Sequence, residues 1–256
     1  MSLFNKVFAS IGIGSATVDT KLEKDVFVPG EEIKGVVQVK GGKLEQQIDE
    51  IYLHLHTNYI RESDDKKHIV KGDVEKFRLI EAFTIGVNET REIPFVIRVP
   101  FDTPISIGRT KVWVETGLDI KNAVDPSDKD FISVLPNQLM KSVLETIAEL
   151  GFRMREADCE ELPYRKRRRL PFAQEFEFVA VSGPFRGKLD ELEVIFFPQS
   201  EEQMDIALQI DRRAKGLGGF LAEALEMDET NIQLSVHLND LPIFKSKLQS
   251  IISQYS

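Results

Sequence analysis

The sequence predicts a mainly β fold in two parts. Residues 1–135 read as an antiparallel β-sandwich, and residues 136–256 as a smaller α+β domain with an antiparallel sheet and flanking helices. Three observations carry this. Short apolar runs of period two, separated by turn residues, fill the first half. At Pro136 the apolar period becomes that of a helix. Four more alternating runs and a second helical stripe complete the chain.

In order, TVDTKLEKD and EEIKGVVQVK flank Pro29-Gly30. Proline presets φ for the second turn position and glycine accepts a positive φ at the third, so a tight reversal between antiparallel strands is expected. Ile33, Val37 and Val39 share one strand face. Over 51–59, Ile51, Leu53 and Leu55 point one way and Tyr52, His54 and His56 the other, as in a half-buried strand. The polar stretch 62–73 has no apolar period and is expected to be a surface loop. Phe77, Leu79 and Phe83 then align. After a turn at 86–89, Ile93, Phe95, Ile97 and Val99 face inward, with Pro94 restricting that strand to an edge or making it a strand start. Residues 109–120 and 130–135 supply the last strands of about seven.

In NQLMKSVLETIAELGF, Leu139, Met140, Val143, Leu144, Ile147 and Leu150 form one helical stripe, with Asn137 placed to cap and Gly151 to stop it. A basic loop follows. The strands after it put Phe176, Phe178, Leu192, Val194, Ile206, Leu208, Ile232 and Leu234 on one face. Glu175, Glu177, Glu191, Glu193, Asp205, Gln209, Gln233 and His237 fall on the other. A short helix is expected over 217–226. A final one, with Pro242 in its first turn, aligns Phe244, Leu248, Ile251 and Ile252. These helices favour an α+β unit for 136–256, with a second sandwich as the alternative.

Composition narrows the function classes. A chain with 42% hydrophobic and 29% charged residues is globular, and 17 Phe against one Trp suit a sandwich interior more than a polar cleft. The net charge of −9, shared by both halves, lacks the basic face that nucleic acid demands. The lone Cys159 forms no internal disulfide, the N-terminus lacks the organisation of a secretory signal, and no segment reaches the roughly 20 apolar residues of a membrane span. A cytoplasmic setting is the expectation.

The chemical motifs in the chain lack the spacing that their chemistry needs. Gly183-Pro184-Phe185-Arg186-Gly187-Lys188 superficially resembles a P-loop but has three residues between its glycines. Leu189 stands where the magnesium-binding hydroxyl belongs, so a hairpin connection is expected. Gly12 and Gly14 lack the third glycine of a dinucleotide fingerprint. His54 and His56 share a face, but no further His or Cys lies close in sequence, and a solvated strand face is the favoured reading. Acidic neighbours of Cys159 disfavour its thiolate, and there is no G-x-S-x-G elbow. No catalytic residue, cofactor or metal is assigned.

Particular stretches do resemble a known family. Pro29-Gly30-Glu31 with IKGVVQV, then IDEIYLHL, then FTIGVNETREIPFVIRVPFDTPIS, is similar to the strand succession of arrestin-like N-terminal domains. FAQEFEF, LDELEVIFF and QIDRRAKG resemble stretches of the bacterial sporulation-control family. The resemblance covers nearly the whole chain. It implies an arrestin-like sandwich plus a second domain, and a regulatory role exercised through protein partners.

Two interaction candidates follow from the residues themselves. Leu3, Phe4, Val7, Phe8 and Ile11 recur at helical spacing, a segment suited to pairing with a second copy, a partner groove or a membrane surface, or to docking on its own sandwich. Arg165, Lys166, Arg167, Arg168 and Arg169 form a basic island suited to an acidic partner, with a solvated loop as the default reading. The expected function is that of a non-catalytic cytoplasmic adaptor binding regulatory proteins, with a possible homodimer through the N-terminal segment and no nucleic acid. The alternatives are a peripheral membrane sorting adaptor of arrestin-like type and a hydrolase with an unrecognised site.

Overall fold

A computed structural model describes residues 15–63, 66–121, 124–212 and 229–255. The chain is mainly β and divides into two compact units, with the main division at Val134/Leu135. Two short excursions, 59–70 and 104–110, also belong to the second unit.

The first unit contains β1 (Thr17–Leu22), β2 (Val26–Phe27), β3 (Glu32–Lys40), the first part of β4 (Gln46–Ser63), most of β5 (Lys66–Ile80), β6 (Phe83–Ile85), β7 (Thr90–Arg98), β8 (Val112–Ile120) and β9 (Ser127–Val134). One sheet runs β1-β3-β7. In the other, β4, β8, β9 and β2 follow one another, and β5 and β6 also pair with β4. The reversal at Pro29-Gly30 is as expected: Glu31 N–H donates to the Val28 carbonyl at 3.1 Å, and Gly30 takes φ +92°. Pro94 sits opposite Val36 on β7, the edge strand of its sheet, where a missing N–H costs no ladder bond. Ile33, Val37, Val39, Ile51, Leu53, Leu55, Val114 and Leu118 are fully buried and form the core between the sheets.

The loop expected over 62–73 is instead strand: β4 continues to Ser63, and β5 begins at Lys66. Most β5 side chains are exposed or half-exposed, Val74 being among the few buried apolar ones. Its backbone is held by pairing with β4, so no apolar alternation marks its first half in the sequence; the expected alignment of Phe77 and Leu79 falls on its second half.

The second unit contains α1 (Gln138–Glu149), β10 (Phe152–Glu161), β11 (Phe172–Ala180), β12 (Leu189–Pro198), β13 (Gln203–Arg212), β14 (Glu229–His237) and α2 (Leu241–Gln254). Asn137 caps α1, its Oδ1 accepting from Met140 N–H at 2.9 Å, and Gly151 at φ +94° ends it. β10 to β14 form an antiparallel meander, and Ile60 of β4 pairs in parallel with Glu160 of β10. Phe176, Phe178, Leu192, Val194, Ile206 and Leu208 are buried on one sheet face. The helices supply Leu139, Val143, Ile147, Phe244, Leu248 and Ile252 to the same core.

β10 is a strand that the alternation did not reveal. A bulge between Met154 and Glu156 breaks the period, so Phe152 and Met154 are out of phase with Ala157 and Cys159. The connection at 183–188 is a short 3-10 turn between antiparallel strands, with Phe185 buried. The helix expected over 217–226 lies outside the described residues. No helix among those described is long and apolar enough to cross a membrane.

Candidate functional site

The sheet face of the second unit that the helices do not cover is floored by carboxylates and roofed by the basic loop. Register places Glu177 beside Glu193, Glu193 beside Gln209, Glu175 beside Ile195, and Ile195 beside Ala207. Leu162 and Leu170 anchor the loop by burial, and Leu162 N–H closes it on the Pro171 carbonyl at 2.8 Å. Under it lies an open groove of about 930 Å³, whose lining includes Arg165, Lys166, Glu175, Glu193, Phe197 and Ile232.

The loop's cations divide into two sets. Arg167 donates to the Leu162 carbonyl at 3.0 Å and to Glu161 at 2.9 Å. Arg168 lies 4.0 Å above the Phe197 ring and donates to Asp205 at 3.1 Å. Asp205 also accepts from the Ser235 hydroxyl at 2.5 Å, and these bonds hold its carboxyl below the usual range. Arg165 and Lys166, on an exposed 3-10 turn with Tyr164, form no ion pair among the described residues. On the floor, burial first and then Glu160, Glu177 and Glu191 push Glu175 up to about 7.

In the first unit, the outward face of β4 and β8 carries an aromatic row. Ring centroids are 5.0 Å apart for Tyr52 and His54, 5.1 Å for His54 and His56, 5.5 Å for His56 and Trp113, and 5.9 Å for Trp113 and Phe131. Gly117 lies opposite Tyr52, and a methyl there would collide with the phenol ring. β5 brings charge to this row. Asp73 Oδ1 lies 2.9 Å from His56 Nδ1, Lys71 pairs with Glu115 at 3.4 Å, and Lys76 lies 4.6 Å above the Tyr52 ring.

His56 is 2% exposed, which corrects the solvated-face reading for this residue. Burial, then Lys71, lowers its pKa; burial, then Lys76, lowers that of His54. Donor atoms of His54, His56 and Asp73 all lie within 4.8 Å of one another. Cys159 is buried beside the Thr110 hydroxyl at 3.7 Å.

Comparison with known proteins places the chain. Residues 4–214 match the family described as SpoOM protein. The chain belongs to the Spo0M family. The sporulation-control protein spo0M of Bacillus subtilis (strain 168) is 46% identical over 259 residues, covering 100% of both chains. A crystal structure of Spo0M, sporulation control protein, from Bacillus subtilis matches with a TM-score of 0.84 at 44% identity, covering 95% of this chain and 100% of that one.

In this Spo0M-family chain the basic island expected from sequence lies on the groove's roof, with Arg165, Lys166, Arg167 and Arg168 lining it. Arg169 is exposed on the same loop. Leu3, Phe4, Val7, Phe8 and Ile11 lie outside the described residues. Sequence reasoning missed Glu175 as a group shifted toward neutrality and missed Asp73 and Glu115 around His56. The alternation placed Glu175 outward with Glu177 beside it on β11, but its burial and the further carboxylates, Glu160 of β10 and Glu191 of β12, depend on other strands.

Proposed function

We propose that this Spo0M-family protein is a non-catalytic cytoplasmic adaptor that captures an extended segment of a regulatory protein in the groove beneath the basic loop. The observation carrying this reading is the division among the loop's cations. Arg167 and Arg168 hold the loop in place, while Arg165 and Lys166 stand exposed at the groove wall without ion-pair partners among the described residues. The floor offers Glu175 and Glu193 beside the apolar Ile195 and Phe197. Charge complementarity therefore selects a segment with an acidic residue for the wall and a basic one for the floor, spaced by an apolar side chain. The sporulation-control name of the Bacillus subtilis relative supports the regulatory setting.

The test is complementation of a Bacillus subtilis strain lacking its own spo0M, scored by spore frequency. The wild-type chain should restore it. The double variant Arg165→Glu, Lys166→Glu should not, while melting within ~0.5 kcal/mol of wild type because both positions are exposed. Equal restoration by the double variant would remove the groove from the function.

A further inference from the structure

We propose that His54, His56 and Asp73 form a binding site for a divalent cation of the zinc type, which fastens β5 onto the outward face of β4. Two imidazoles and a carboxylate are a donor set that zinc accepts. The two histidines alternate onto one face of β4, and Asp73 reaches them from the paired strand β5. Their donor atoms, all within 4.8 Å of one another, need shift only by about an ångström to reach the ~3.4 Å separation of tetrahedral zinc ligands. Asp73, whose side chain is 73% exposed, is free to make that adjustment.

A second, independent observation points into the same place. His56 is almost completely buried, yet its Nδ1 makes no hydrogen bond, although Asp73 Oδ1 is only 2.9 Å away. A buried ring nitrogen without a hydrogen bond is costly, and a cation between it and the carboxylate would remove that cost. The other nitrogen is already provided for: His56 Nε2 lies 3.5 Å from Glu115 Oε2. With a metal on Nδ1, a carboxylate on the far side of the ring favours the proton on Nε2, the support that metal-bound histidines ordinarily have. Lys71, paired with Glu115, and Lys76, over the Tyr52 ring, oppose a cation. The expected affinity is therefore micromolar and not nanomolar. Three protein donors and the exposure of Asp73 leave the fourth position to water.

The experiment is calorimetric titration of Zn(II) into the untagged full chain after dialysis against a chelator. One equivalent should bind. His54→Ala and Asp73→Asn should each weaken binding at least 100-fold while circular dichroism stays unchanged; both side chains are less buried than His56, whose removal risks the fold. The control Gln variant of His68 and His237, the other two histidines, should bind like wild type. Absence of stoichiometric binding would overturn the proposal. So would binding that survives both ligand variants, or binding that depends on His68 or His237.

Discussion

The outward sheet faces of the two units are built alike and finished differently. In both, one side of an antiparallel sheet is packed in a core, while the other presents polar and aromatic side chains in rows. In the first unit β5 brings Asp73, Lys71 and Lys76 against the row formed by Tyr52, His54, His56 and Trp113, and a histidine and a tryptophan become buried. In the second unit the basic loop roofs the face but leaves a groove of about 930 Å³. The lesson concerns polar groups. Covered closely, they must find partners within the protein, as His56 does on its Glu115 side. Covered loosely, they stay available to something else, as Arg165 and Lys166 are.

The sharpest way to break this contrast is to add bulk to each face. Gly117→Ala sets a Cβ into the Tyr52 ring, which is itself held beside His54 and under Lys76. It should cost ~1–3 kcal/mol in urea unfolding, the range for overpacking. A cost near zero would show the first face to be as loose as the second.

Next in size is the pH response of the groove floor. Glu175 has its carboxyl pushed up to about 7 from 4.5, chiefly by burial. Between these values the unfolded chain gives up its proton before the folded one does, so stability falls as pH rises through this window and is level above it. Glu175→Gln removes that loss. It should be more stable than wild type at pH 8 by on the order of 1 kcal/mol, after discounting for solvent at the groove, with the difference shrinking toward pH 4.5. Unfolding profiles that run parallel across this range would show that the floor is not crowded with charge.

The smallest effect is expected from Ala207→Val, on the groove floor beside Ile195. With open space above, thermal melting should place it within ~0.5 kcal/mol of wild type. A cost matching that of Gly117→Ala would mean that the groove is closed in solution and would remove the contrast.

Much of this architecture is determined locally. The φ demands of Pro29-Gly30, the cap at Asn137, the stop at Gly151 and the alternation of Ile51, Leu53 and Leu55 against Tyr52, His54 and His56 are short-range properties, and each is legible along the chain. The first half of β5 and all of β10 were not legible. The first is held by backbone pairing more than by apolar burial, and the second is put out of phase by a bulge. The candidate sites divide the same way. Alternation puts His54 and His56 on one face and Glu175 on another, and composition marks the island at 165–169. What covers those faces was decided by tertiary structure alone. Asp73 reaches His56 only because β5 folds back beside β4, and Glu175 is shifted first by burial and then by carboxylates that include Glu160 of β10 and Glu191 of β12. A period of two assigns a residue to a side of its strand; its neighbours across that side come from distant segments, whose arrival is a property of the folded chain.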